Sequence, residues 1–474
     1  MGENKYKVLF RNTIFIAFGG ALSKVVGFVM LPFLTAWMST EEYGFIDILS
    51  VYASIIMSMT TMCLGESIFV FVKNCPVEER KKFFSTNIIA STLLLGILGV
   101  LLLIFCKLAF IYGIHNTISD HPIYIYIFVV TGFYQLLTQQ FACAINQIRV
   151  YSMTGFVMAI SFAAFSFLLI PQYQIVGFVT TSVISNIIGI FYTVLFSKTY
   201  LYFNINAIDK QSLMDMLKYS IPVMPNSILG WLTSALNRPV MENYLGLSAI
   251  GILAVSNKFP QIVQLVFNYI STSWQISLFE EFEKPSFEVF FNQVSKIVFF
   301  ILFVVVSLLS LFSETIIRLF VDHNYFESYK YVSILSFATL FFCIAQFLGN
   351  LFAVNRKSHY YFYTTFFASL SAVTLNFILI PQMGILGASI SLLVSYFIYM
   401  MARLYLVRMY VKVKDYHFYV VLILILSILS YLIWINMNWL VITIFYIVSI
   451  IAIILTQRKT VENVLYYLKE RIKK

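Results

Sequence analysis

Apolar runs of about 20 residues or more succeed one another along almost the whole chain, and no other feature limits the fold as severely. A run of that length crosses the hydrocarbon core of a bilayer as a helix, where every backbone N–H and C=O must find its partner within the segment. Fourteen such helices are expected, near residues 12–37, 45–72, 85–112, 123–147, 152–171 and 174–196, then 219–244, 248–277, 291–313, 331–353, 360–380 and 384–408, and finally 417–435 and 439–456. The fold class is therefore an all-α polytopic membrane protein. Composition agrees, since 60% of the 474 residues are hydrophobic and 11% are charged, which excludes a soluble or disordered chain.

The formal net charge of +10 falls in short clusters between apolar runs rather than on one face. That is the pattern of cytoplasmic loops beside anionic membrane lipid, not of a nucleic-acid binder. Of the 31 Lys and Arg residues, 25 fall on one side of the expected spans, including Arg80, Lys81, Lys82, Lys210, Arg403 and Lys414. Both termini are accordingly expected in the cytoplasm. The opening MGENKYKVLFRN leads into an apolar run too long for a signal-peptide core, so it reads as a first helix. Cys63, Cys75, Cys106, Cys143 and Cys343 have no paired spacing and read as free thiols, and no metal cluster, phosphate loop or cofactor motif is visible.

Two stretches carry polar stripes that lipid would not tolerate. In 219–245, Ser227, Ser234, Arg238 and Met241 share a helical face, with Asn226, Thr233 and Asn237 beside it. In the next expected helix Asn257, Gln261, Gln264, Asn268, Ser271 and Gln275 fall 4, 3, 4, 3 and 4 apart, a face about 27 Å long at the helical rise. Such stripes imply a polar cavity. The chain also repeats itself. Leu169-Ile170-Pro171-Gln172 recurs as Leu379-Ile380-Pro381-Gln382, with Gly177 matching Gly387, while Gly44 in TEEYGF matches Gly251 in LSAIGI at nearly the same offset. Two six-helix halves of equal orientation follow, a parallel repeat. The expected organisation is an N-terminal lobe over 1–200, an interfacial linker over 201–218, a second lobe over 219–415, a helix pair over 416–457 and a basic amphipathic tail over 458–474.

The segments SKVVGFVMLPFLTAWMSTEEYGFIDI, NRPVMENYLGLSAIGILAVSNKF and LNFILIPQMGILGASIS resemble the bacterial polysaccharide-biosynthesis flippases, the O-antigen and capsule-unit translocases of the multidrug and oligosaccharidyl-lipid exporter superfamily. The resemblance covers essentially the whole chain. It implies two six-helix lobes in a V, an extra C-terminal helix pair, and a cationic cavity in a bacterial inner-membrane protein. The implied cargo is an undecaprenyl-diphosphate-linked sugar, moved to the outer leaflet by alternating access. By the same analogy a polysaccharide polymerase and a chain-length regulator are partners. Many relatives carry Asp-Arg in the seventh helix, where this chain has Asn237-Arg238.

A charge near the bilayer centre costs about 2.5–3.5 kcal/mol on insertion scales, so each one needs a reason. Lys24 and Lys258 lie well inside their expected helices, and both are candidates to attract a diphosphate or an acidic sugar. Each could instead pair with a buried carboxylate or carbonyl. Arg238 could grip phosphate in a bidentate fashion, or pair with Glu242 one turn later. Glu66 and Glu242 are candidates for ion coupling, with Glu66 alternatively a partner for Lys24 or Lys258. Asn257, Gln261, Gln264 and Asn268 would suit sugar hydroxyls, although amides also join helices.

Two other functions compete with this one. A multidrug cation antiporter of the same superfamily should line its cavity with carboxylates, whereas here three cations face two acids within the spans. A membrane enzyme of the same sugar pathway needs a catalytic constellation on an outer loop. The longest outer loop does hold Arg318, Asp322, His323 and Glu327, but it reads better as a solvated amphipathic loop, since nothing else around it builds a pocket. No catalytic residue is assigned.

Overall fold

The computed structural model describes residues 20–456, apart from 21, 74, 114, 356, 358 and 436. The expected basic tail over 458–474 lies outside the described residues. Helices joined by short turns make up the chain, with no strand among the described residues. This is how a chain in lipid satisfies its own backbone. In order they are α1 (Leu22–Trp37), α2 (Thr40–Thr60), α3 (Leu64–Val72), α4 (Val77–Tyr112), α5 (Pro122–Ala144) and α6 (Ile148–Ser197). There follow α7 (Lys210–Ser234), α8 (Asn237–Leu245), α9 (Leu247–Ser256), α10 (Pro260–Glu281), α11 (Phe287–Leu311) and α12 (Ser313–Phe320). The last are α13 (Tyr329–Val354), α14 (His359–Met383), α15 (Ile385–Val407), α16 (Tyr416–Trp434) and α17 (Trp439–Thr456).

Among the described residues eight helices are long and apolar enough to cross a membrane, or nine when α9 and α10 form one bent span. The expected fourteen differ because some runs are merged, others are cut, and the unbroken α5, 23 residues long, is not among the eight. The fifth and sixth expected spans are the two arms of α6, which breaks at Gln174 (φ 46°, ψ −114°). Three runs expected to be continuous, over 45–72, 219–244 and 248–277, are each broken. Proline explains two of these breaks, because its ring clashes with the carbonyl four residues earlier. Pro239 stands four after Ala235, one residue past the end of α7, and Pro260 stands four after Ser256, where α9 ends. The break between α2 and α3 has no proline; there Met62 and Cys63 turn left-handed, with φ 49° and 56°.

The chain divides into two compact units, the first running to Trp231 and adding Leu245–Gly251, the second comprising Leu232–Tyr244 and the chain from Ile252 on. Each contains the same helix-turn-helix device. In the first unit Gln174 takes φ 46° and the Cα of Gly177 packs so tightly that a Cβ would stand 2.3 Å from the Leu169 carbonyl oxygen. In the second, 210 residues later, Gly384 takes φ 61° and a Cβ on Gly387 would stand 2.2 Å from the Leu379 oxygen. The repeat read from LIPQ is therefore a repeat of backbone geometry. Met30, where α1 turns just before Pro32, likewise matches Asn237 before Pro239, at the offset of 207 that separates Gly44 from Gly251.

That glycine pair has a packing cause within the first unit. A Cβ on Gly44 would lie 1.9 Å from the Leu247 oxygen, and one on Gly251 would lie 1.9 Å from the Thr40 oxygen, so the starts of α2 and α9 cross in reciprocal backbone contact. Thr40 Oγ1 and Ser248 Oγ share a hydrogen bond of 2.7 Å at the crossing.

The stretch from Thr199 into the expected interfacial linker over 201–218 is locally ordered. It consists of two 3-10 turns, Thr199–Tyr202 and Ile205–Ala207, after which α7 begins at Lys210. The turns are strapped to α4: the Asn204 N–H donates to Ser85 Oγ at 2.8 Å, and the Asp209 N–H to Thr86 Oγ1 at 3.0 Å. Asp209 then caps α7, its Oδ2 accepting from Ser212 N–H and Oγ at 2.8 Å each, which holds its carboxyl below the usual range. In the second unit α16 is anchored to α11. Asn292 donates to the Lys412 carbonyl at 3.0 Å and accepts from Lys414 N–H at 2.7 Å, while Lys414 pairs with Glu288 at 2.8 Å and Lys296 with Asp415.

Candidate functional site

Lys24 lies in α1, exposed, one residue after Ser23. Neither it nor Glu66 has an ion-pair partner among the described residues, so the pairing of Lys24 with Glu66 considered above is not made. Glu66 sits in the first turn of α3, also exposed, just past the left-handed Met62 and Cys63. Asn87 secures this helix start by donating to the Leu64 carbonyl at 2.8 Å.

In the second unit Arg238 opens α8 and is only 9% exposed. Its Nη1 donates to the Ser234 carbonyl at 3.0 Å and to Asn237 Oδ1 at 2.9 Å. Arg238 thus spans the break between α7 and α8 with its own side chain, and Asn237 supplies an oxygen to it. Glu242 follows one turn later on the same helix. Lys258 is half-buried in the turn between α9 and α10, where its N–H donates to the Val255 carbonyl at 3.0 Å.

The amide face is not one uninterrupted helix. Asn257 lies in the turn, its Nδ2 committed to the Leu253 carbonyl at 3.0 Å, and the axis bends by 42° into α10. Gln261, Gln264 and Asn268 remain together on α10, Gln261 and Asn268 exposed and Gln264 half-buried. Farther along, Asn350 of α13 donates to Ser271 at 3.4 Å and accepts from Gln275 at 3.4 Å, so the end of the stripe joins helices. The outer-loop set is also accounted for locally. Arg318 pairs with Glu314 at 2.8 Å and lies over the Phe326 ring, and Asp322 caps the turn beginning at His323 through Asn324 N–H at 3.0 Å.

Charge counting placed Arg403 with the cytoplasmic cations, yet it is 1% exposed and among the largest fully buried side chains. Its Nη1 donates to the Ala345 carbonyl at 2.7 Å and Gln346 Oε1 at 2.9 Å, its Nη2 to Tyr399 OH, and its Nε to Thr364 Oγ1 at 3.4 Å. The Tyr399 ring lies 4.1 Å from the guanidinium carbon and the Tyr361 ring 5.0 Å. Three helices, α13, α14 and α15, converge on this one cation. Gly349 makes the space, because a Cβ there would stand 2.3 Å from Nη1. The sequence held one signal, Tyr399 a single turn before Arg403, but nothing that joined this pair to Gly349 and Tyr361 on other helices.

A family description, "Polysaccharide biosynthesis protein", matches residues 9–275, more than half of the chain. The chain belongs to that family. The resemblance to polysaccharide-biosynthesis proteins read from the sequence is therefore borne out, as is an all-helical membrane protein. Among curated proteins it is 28% identical over 192 residues to the capsular polysaccharide biosynthesis protein CapF of Staphylococcus aureus, a match covering 39% of this chain and 48% of that protein. The chain thus spans about half the length of the curated relative it matches. Among solved structures it is similar to the lipid II flippase MurJ in an inward closed conformation, with a TM-score of 0.72, 16% identity, and coverage of 95% of this chain and 100% of the other. An inward-facing multidrug resistance MATE family transporter follows at TM-score 0.67 and 14% identity, covering 82% and 93%. These likenesses carry the fold.

Proposed function

We propose that the protein is a flippase that carries an undecaprenyl-diphosphate-linked oligosaccharide, an O-antigen or capsular repeat unit, from the cytoplasmic to the outer leaflet by alternating access. The observation that carries this reading is Lys24, an exposed ammonium within an apolar helix that takes no ion-pair partner among the described residues. An intramembrane cation left available in this way suits a diphosphate. Arg238 and Lys258 extend the cationic set, and Gln261, Gln264 and Asn268 supply amides for sugar hydroxyls. Glu66 and Glu242 are the groups that couple transport to an ion. CapF is a capsular polysaccharide biosynthesis protein and MurJ a lipid II flippase, and both support this reading. The protein sits in a bacterial inner membrane with both termini cytoplasmic, and a polymerase and a chain-length regulator are its partners.

The test is inversion of a fluorescent undecaprenyl-diphosphate oligosaccharide in liposomes holding the purified protein. Protein-dependent inversion supports the reading. Uptake of a lipophilic cation under a proton or sodium gradient, without inversion, overturns it in favour of a drug antiporter.

A further inference from the structure

Beside Lys24, wholly within the first unit, lies a cavity of about 260 Å³ lined by Ser23, Gly27, Met158, Phe162, Ser182, Ser185 and Asn186 among others. Its walls come from α1 and from both arms of α6, before and after the Gln174 break. Glycines shape it. A Cβ on Gly155 would stand 3.0 Å from Ser23 Oγ, and one on Gly189 would stand 2.6 Å from Met158 Cγ, so both lining residues seat where only hydrogen leaves room. The polar groups are partly fixed. Ser185 donates to the Thr181 carbonyl at 2.8 Å, and Asn186 donates to Thr131 Oγ1 at 3.2 Å, which leaves the Asn186 carbonyl oxygen as an acceptor.

The lining holds no charged side chain, so the cavity itself selects no ion. It offers hydroxyl and amide groups on one helix face, Ser182, Ser185 and Asn186 at i, i+3 and i+4, against the apolar Met158 and Phe162. That combination fits a ring with a hydroxylated edge and a C–H face. The volume is below the ~300–1,000 Å³ of sites for drug-sized ligands, so it takes a single ring rather than an oligosaccharide. Lys24 follows Ser23 on α1, turned by about 100° round the helix, so one molecule wrapping this side of α1 would place a phosphate at the lysine and a sugar in the cavity.

We propose that this cavity is a monosaccharide subsite, receiving one uncharged pyranose ring of the cargo while Lys24 takes the diphosphate; this rests on the flippase reading above. The subsite gives the protein a preference for glycosylated over bare carrier lipid. Binding is measured with the full chain in nanodiscs, using undecaprenyl diphosphate alone and the same lipid bearing N-acetylglucosamine, galactose or glucose. The wild type should bind at least one glycosylated probe about tenfold tighter than bare lipid, the scale of one or two hydrogen bonds. Ala159→Trp, which fills the cavity, and Asn186→Leu, which removes its amide without adding bulk, should each abolish that tenfold difference while leaving affinity for bare undecaprenyl diphosphate unchanged. Equal wild-type affinity for all four probes, or variants that keep the preference, overturns the subsite and leaves the flippase reading standing. Failure to bind even bare undecaprenyl diphosphate overturns the flippase reading itself. Asn186→Leu guards against misfolding of the bulkier variant.

Discussion

Gly349→Ala is expected to destabilise the protein, against the usual rule. At an ordinary helix interior that substitution gains about 1 kcal/mol of helix propensity. Here the added methyl would meet Arg403 Nη1 at 2.3 Å and Cζ at 2.8 Å. To reach the ~3.5 Å of normal contact the guanidinium must retreat by about 1.2 Å. Its Nη1 bonds, 2.7 Å to the Ala345 carbonyl and 2.9 Å to Gln346, then exceed the hydrogen-bonding range. Two charge-assisted bonds at about 1.5–3 kcal/mol each, less the propensity gain, leave a net loss of about 2–5 kcal/mol. Partial relaxation puts the expected value near the lower end. The assay is the thermal unfolding midpoint of detergent-purified protein, followed by size exclusion after heating. A double-mutant cycle with Arg403→Met isolates the cause, because without the guanidinium the methyl should cost little. A Gly349→Ala protein as stable as wild type, or an equal penalty in the Arg403→Met background, refutes the account of this node.

Other expectations follow from single contacts. Gly44→Ala places a methyl 1.9 Å from the Leu247 oxygen, so the α2–α9 crossing must spread; lower thermal stability and slower inversion are expected, and wild-type values for both would contradict it. Asp209→Ala should lower the unfolding midpoint, whereas Asp209→Asn should keep most of the cap. Since the Asp209 carboxyl is held below its usual value, mainly by Ser212, the difference between wild type and Asp209→Ala should be full above about pH 4 and vanish as pH falls through the depressed value. A difference that grows on acidification has the wrong sign. Glu66→Gln should remove the dependence of inversion on an imposed proton or sodium gradient while leaving protein level unchanged; retained dependence transfers the coupling role to Glu242.

How far the sequence could be read depended on whether the deciding interaction was local. Apolar length and period gave the helical class, and LIPQ with its following glycine marked a turn whose geometry recurs at Gln174 and Gly384. Both are properties of short stretches. Pro239 and Pro260 also announced helix breaks in plain sight, but a polar stripe at helical spacing invited a continuous reading across Asn257, and the break removes that residue from the α10 face. The left-handed turn at Met62 and Cys63 carries no proline or glycine to signal it. Arg403 was misplaced for a different reason. Residue counts near helix ends treat a cation as solvated, and only the convergence of α13 and α14 on α15 shows that its charge is shared among carbonyl, amide, hydroxyl and two rings.

The central claim is that a cation within the first helix handles an anionic carrier. Inversion of labelled undecaprenyl-diphosphate oligosaccharide in liposomes, compared at equal protein for wild type, Lys24→Ala and Lys24→Arg, tests it most directly. The account predicts loss of inversion in Lys24→Ala and partial recovery in Lys24→Arg, since charge returns without the compact ammonium. Wild-type inversion by Lys24→Ala would contradict it.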